Sequence, residues 1–202
     1  MTTRSRIVIL QIIAIATISG SSYGITKALR WRTATQQELK KLIPARAPVI
    51  KENIETEFRT ASGVTDGKGK FIAGVVMITA GYSAEGKYSH FFVTQTTMQL
   101  GNITLQPGEY VFGYQRTGND SIRVSFYKAS TGDSAGDVEA HINRKRNLVT
   151  SLLITPPVGG KGTIQVGRFI WDYRVSDWEV QIFTHSRIWK DHLETWKISA
   201  SN

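Results

Sequence analysis

The chain has 202 residues, and 41% hydrophobic against 20% charged side chains is the composition of a folded globular protein, which excludes a disordered tail. The absence of cysteine excludes disulfide frameworks, thiolate metal sites, thiol nucleophiles and a lipid-bearing cysteine. The net charge of +9 does not point to nucleic acid, because the excess of Lys/Arg over Asp/Glu is six in residues 1–60, two in 61–130 and one in 131–202.

Arg4 and Arg6 precede the apolar run Ile7 to Ile18, and the small polar stretch Ser19 to Gly24 follows, which is the layout of a secretory signal. The run falls short of the roughly 20 apolar residues that span a bilayer. Cleavage after Ser21 or Gly24 is therefore expected, with an uncleaved signal anchor held by Lys27, Arg30 and Arg32 as the alternative. Residues 1–24 form this leader, and the expectation is an exported protein, periplasmic or extracellular or anchored to the inner membrane, with membrane contact through the N-terminal segment.

Residues 25–48 read as a basic linker. Thr35 and Glu38 have the spacing of a capping box, Leu39, Leu42 and Ile43 follow, and Pro44 ends a short helix that reads as a spacer. From Ile50 the period changes to two, with Ile50, Ile54 and Phe58 on one face expected to be buried. Strand-like runs recur from there: Phe71 to Ala80, Tyr88 to Gln99, Tyr110 to Gln115, Ser121 to Ala129, Asp137 to Ile142, Leu148 to Thr155 and Thr163 to Val175, with turn residues between them. Gln106-Pro107-Gly108-Glu109 suits a type II turn, in which Gly108 takes a positive φ and valine there is destabilising. About nine strands, and no long helical period, predict an all-β fold: an antiparallel β-sandwich or barrel-like domain over residues 49–175. Residues 176–202 are a C-terminal extension, with Ile188, Trp189, Leu193 and Trp196 at helical spacing.

Gly74 to Ser83, followed by Leu100-Gly-Asn-Ile-Thr-Leu-Gln-Pro-Gly-Glu-Tyr110, resembles a group of uncharacterised exported bacterial β-domain proteins that share the phrase L-G-x-x-x-L-x-P-G-x-Y. The similarity covers about residues 36 to 175. It implies an exported all-β domain with Leu100, Leu105 and Tyr110 as apolar anchors of a hairpin, and it assigns no catalytic or binding residue.

Several motifs bear on chemistry. Gly132-Asp133-Ser134-Ala135-Gly136 matches G-x-S-x-G, but strands flank it on both sides and only His90 precedes it, within Ser89-His90-Phe91-Phe92, so Ser134 reads as a polar loop residue without a catalytic part. Asp137, Glu139 and His141 alternate and share one strand face, the pattern of a wet face and incomplete as a metal site. His185 and His192 make a single pair, which is not a site. Trp171, Tyr173, Trp178, Trp189 and Trp196 cluster late in the chain, where burial is favoured over an exposed platform for sugar rings. Arg144-Lys145-Arg146 reads as a solvated hairpin end, and Gly159-Gly160-Lys161 lacks the order of a phosphate loop. No catalytic residue, metal or cofactor is assigned, and the ligand-binding residues stay open. The function expected is a non-catalytic exported or envelope-associated module with a binding or structural role and a protein or glycan partner. Two alternatives stand: a carbohydrate-binding domain using the C-terminal aromatics, and a hydrolase with Asp137, Glu139 and His141 lining a pocket.

Overall fold

The computed structural model describes residues 31–78, 87–145 and 149–176. Residues 1–30, which include the expected leader, and the residues from Asp177, with Trp178, His185, Trp189, His192 and Trp196, lie outside the described residues. The chain opens with β1 (Arg32–Thr33), α1 (Gln36–Leu42), β2 (Arg46–Val49) and β3 (Glu52–Thr65), and continues with β4 (Phe71–Met77) and β5 (His90–Thr94). Two short strands follow, β6 (Met98–Leu100) and β7 (Ile103–Leu105), then β8 (Gly108–Arg116), β9 (Ser121–Lys128), β10 (Ser134–Ile142), β11 (Thr150–Ile154), β12 (Lys161–Gly167) and β13 (Phe169–Val175). All pairings are antiparallel, in the order β1-β3-β4-β5-β8-β9-β10-β13-β12-β11, and the sheet curls into a nearly closed barrel.

Closure brings β11 back to β3 and β4. The amide of Ile154 donates to Ser62 Oγ at 2.9 Å, and a Cβ on Gly74 would lie 2.9 Å from Leu152 Cδ2, so glycine at 74 lets the two edges meet. The barrel interior is filled with side chains: Phe112 packs on Phe126 at 5.1 Å and on Trp171 at 6.1 Å between centroids, and Phe92, Ile122 and Tyr173 complete the packing around them.

A second apolar layer covers the outside of β4, β5 and β8. β3 bulges so that its residues 58–61 oppose the single residue Val75, between the pairs Glu57–Val76 and Ser62–Gly74. Thr60 Oγ1 patches the gap by accepting from the amide of Val76 at 2.9 Å. The N-terminal half of β3 folds outward with β2 and α1, burying Leu39, Ala47 and Ile54 against Val75, Phe91 and Val111. Two-sided burial explains why β4 and β5 read as continuous apolar runs instead of alternating ones.

α1 forms as its sequence predicts: Thr35 accepts from the amide of Glu38, and the Glu38 carboxylate accepts from the amide of Thr35 at 2.8 Å. It is no spacer, however. Leu39 and Ile43 are buried in the outer layer, and Gly63 allows the approach, since a Cβ there would meet Leu39 Cδ2 at 2.9 Å. Ile50 also departs from expectation. It is an exposed turn residue between β2 and β3 with φ 57, held by a hydrogen bond from its backbone N–H to the Ala129 carbonyl at 2.7 Å.

Among the described residues thirteen strands stand against the expected nine, because β1 and β2 lie in the stretch read as a linker and because short turns separate β6 from β7 and β12 from β13. Thr163 to Val175 is a hairpin, reversed at Gly167, whose φ of 58 suits glycine. Gly101, at φ 56, likewise turns β6 into β7. Gly108 is a correction in the other direction: it is the exposed first residue of β8, outside the positive-φ set, and a Cβ there meets nothing closer than 3.6 Å. Valine at 108 is now expected to change unfolding free energy by no more than about 0.5 kcal/mol in a denaturant titration, because it joins a strand edge without strain.

Candidate functional site

The described residues form a cleft of about 470 Å³ at the barrel end where β4 finishes and β5 begins. Val76 and Met77 come from β4, Ser89 and His90 from the entry to β5, Tyr114 from β8, Ser151 from β11, and Val166 and Gly167 from β12.

His90 forms its floor. The side chain is 3% exposed and its ring stacks on Phe112 at 4.5 Å with an interplanar angle of 6°. Nε2 lies 3.3 Å from the Ser151 carbonyl, which only accepts, so the proton sits on Nε2. Nδ1 is then the acceptor for the Ser89 hydroxyl at 2.8 Å. Burial pulls the imidazole down from 6.5 to about 4, partly offset by the Ser151 carbonyl, so the ring is neutral at pH 7. His90 therefore bridges the seam from inside, tying β5 to β11.

A serine hydroxyl bonded to a neutral imidazole has the outline of a nucleophile and its base, and the surroundings do not support that use. Accepting the serine proton would create an imidazolium in a buried site whose only partner at Nε2 is a backbone carbonyl. The amide of Ser89 is bonded to the Phe112 carbonyl at 2.9 Å and is thus unavailable to stabilise an oxyanion.

Of the lining residues, Tyr114 is exposed, and Val76, Met77 and Val166 supply the apolar part of the wall. Phe169, directly opposite the lining residue Val166 on β13, carries the guanidinium of Arg116 over its ring at 5.9 Å.

The residues singled out in the sequence lie elsewhere. Ser134 is the exposed first residue of β10, not a loop residue, and a bulge at Gly136, φ 114, follows it. Asp137, Glu139 and His141 do share one face of β10, and it is the exposed outer face, where Glu139 stands opposite Arg123. Among the described residues, no three His, Asp or Glu side chains cluster as metal ligands. Trp171 and Tyr173 are 4% and 1% exposed, so these two are core residues and offer no sugar platform. Arg144 and Lys145 are exposed at the end of β10, Arg144 paired with Asp120. No helix among the described residues is long and apolar enough to cross a membrane. A polar Ser-His pair interrupting the apolar run Tyr88 to Val93 was the available signal for the cleft floor, and its meaning depended on knowing that β11 closes over it.

Comparison with protein-family models, with curated proteins and with solved structures finds no match to this chain.

Proposed function

We propose that the chain is a non-catalytic binding module of the cell envelope or the exterior, exported by its leader, that takes its ligand at the mouth above His90. The observation that carries this reading is the saturation of the floor: both imidazole nitrogens and the Ser89 hydroxyl are engaged with each other and with the backbone, in a cleft whose walls include Val76, Met77, Tyr114 and Val166. Such a floor holds a ligand without reacting with it. The resemblance of the Leu100 to Tyr110 phrase to exported β-domain proteins supports the address.

The hydrolase reading is favoured by one observation, the 2.8 Å contact between Ser89 and His90. A fluorophosphonate probe separates the two. Neither Ser89 nor Ser134 is expected to be labelled, and Ser134→Ala is expected to shift unfolding free energy by less than about 0.5 kcal/mol, as an exposed substitution does. Stoichiometric labelling of Ser89, abolished in His90→Gln, would replace the binding module by a serine hydrolase. The address is checked separately: mass spectrometry of the protein from its host is expected to find an N-terminus between about Gly20 and Lys27. Intact Met1 in the cytosol would contradict export.

A further inference from the structure

β11 is laddered on one edge. It pairs with β12, irregularly between Thr150 and Leu153, and among the described residues it forms no ladder with β3, β4 or β5. Side chains cross this seam instead. The Ile154 amide donates to Ser62 Oγ at 2.9 Å, Leu152 lies over Gly74, and His90 Nε2 donates to the Ser151 carbonyl at 3.3 Å. Single side-chain links stand where a run of backbone bonds would otherwise be, so the seam opens for less free energy than a laddered pair of strands does.

The two ends of β11 are held unequally. At its C-terminal end the Thr155 amide bonds to the Thr163 carbonyl at 3.0 Å, the two threonine hydroxyls meet at 2.9 Å, and the Thr155 carbonyl accepts from the buried Tyr173 hydroxyl at 2.7 Å. Thr155 is therefore a fixed point. At the other end Ser151 is exposed, and its carbonyl is received by the His90 ring.

That ring also stands among β4, β8 and β12. β4 brings Val76 and Met77, β12 brings Val166 and Gly167, and β8 brings Phe112, stacked on the ring, and the Tyr114 phenol, with its centroid 6.3 Å away. Beyond Val76, Glu57 is held by Arg59, and Arg168 follows Gly167 at the surface. An imidazolium here keeps both of its hydrogen bonds, since Ser89 Oγ can turn its proton to the Phe112 carbonyl, 3.2 Å away, and accept from Nδ1. What it lacks is water. The side chain is 3% exposed, and a charge so buried is hydrated only when a wall moves. β11 is the wall without a ladder.

We propose that protonation of His90 opens the seam: the stretch Thr150–Ile154 swings away from β3, β4 and β5 about Thr155, while the rest of the barrel stays closed. Leu152 is thereby uncovered, and because His90 and Ser151 both line the cleft, its floor comes apart. The motion needs no ligand, so it is independent of the binding function proposed above.

Residue-resolved hydrogen exchange of the full-length chain tests this at pH 7.5 and pH 5, each rate being corrected for the intrinsic pH dependence of exchange. The Ile154 amide should exchange faster than that of Val124, which is laddered between β8 and β10, and low urea should leave its rate unchanged, the mark of a local opening. From pH 7.5 to pH 5 it should accelerate about thirtyfold, the factor for a histidine that titrates near 6.5 with the seam open and at about 4 with it closed. Thr155 should keep the slow, urea-dependent exchange of Val124. In His90→Gln the acceleration of Ile154 should vanish, and should that variant not fold, His90→Asn serves the same purpose. In Glu85→Gln, a position outside the described residues, it should persist. No acceleration of Ile154, or one common rate and urea dependence for Ile154, Thr155 and Val124, would overturn the local opening. Acceleration that survives replacement of His90, or that disappears in Glu85→Gln, would overturn the assignment of the proton to His90.

Discussion

Alanine at position 162 is expected to be the most damaging single methyl group that can be added to this barrel. Gly162 sits opposite Tyr173 in the β12–β13 hairpin, and the ring lies across the glycine so closely that a Cβ would stand 2.5 Å from Cε1 and 2.6 Å from Oη. Real Cβ atoms do not approach that near, so either β12 moves off β13 or the ring leaves. The ring is 1% exposed, and its hydroxyl donates to the Thr155 carbonyl at 2.7 Å, so expelling it empties part of the core and breaks the tie between β13 and the end of β11. Burial also raises the Tyr173 phenol far above its ordinary value, so ionisation offers no escape at neutral pH. The expected loss is about 3–5 kcal/mol, the range for removing a buried aromatic side chain. For a chain of this size that corresponds to a fall of about 10 °C in Tm. A double-mutant cycle assigns the cause: in a Tyr173→Ala background the added methyl has room, so Gly162→Ala should cost about 2 kcal/mol less than it does with the ring present. Equal costs in both backgrounds would mean that the glycine is required by the β12 backbone itself.

That contact also marks a limit of reading the sequence. Thr163 to Val175 has the composition of one long strand, and nothing local says that Gly167 reverses it or that Tyr173 then lies over Gly162. Features encoded by neighbours in sequence are legible: the Thr35–Glu38 capping box, the all-β class and the wet face of β10. Features that depend on closure are not. Pro107-Gly108 locally favours a positive φ at Gly108, but the strand β8 begins there and pairs with Thr94, which holds the glycine extended. Leu39 and Ile43 looked like one side of a free helix because the face that receives them is made by β3 folding outward at its bulge, remote in sequence from both. The cleft is the extreme case. Its lining comes from five strands and the residue before β5, and Ser151 is sixty-one residues from the His90 ring it receives.

His90 is expected to make the stability of the protein fall between pH 6.5 and pH 4. In the folded chain burial holds the imidazole near 4, whereas an unfolded histidine titrates near 6.5. Between those values the unfolded state binds a proton that the folded state refuses, so stability rises with pH through this window. Its contribution is complete above 6.5 and is lost as pH falls toward 4. Two and a half pKa units correspond to about 3 kcal/mol, an order-of-magnitude figure. Denaturant midpoints measured across this range should follow that slope in the parent protein. In His90→Gln the slope should disappear, because an amide can donate to the Ser151 carbonyl and accept from Ser89 without titrating. The perturbed carboxylates do not blur the result. Glu38 is pulled down to about 2 by Arg32 and by the amide of Thr35, and Glu57 is pulled below its ordinary value by Arg59, so their contributions are present above 4.5 and are lost as pH falls below it, at the foot of the histidine window and beyond. The seam explains why the effect reaches the whole barrel and not the cleft alone. β11 meets β3 through the Ile154 to Ser62 bond and meets β5 through His90, so a charge forced onto that ring enters the structure where two edges are joined by side chains. Loss of the slope in His90→Gln with the parent slope retained in Ser151→Ala would place the effect on the imidazole itself, since Ser151 contributes its backbone carbonyl and not its side chain. A parent protein with a flat profile from pH 6.5 to 4 would mean that the ring is solvated in solution and that the seam opens there.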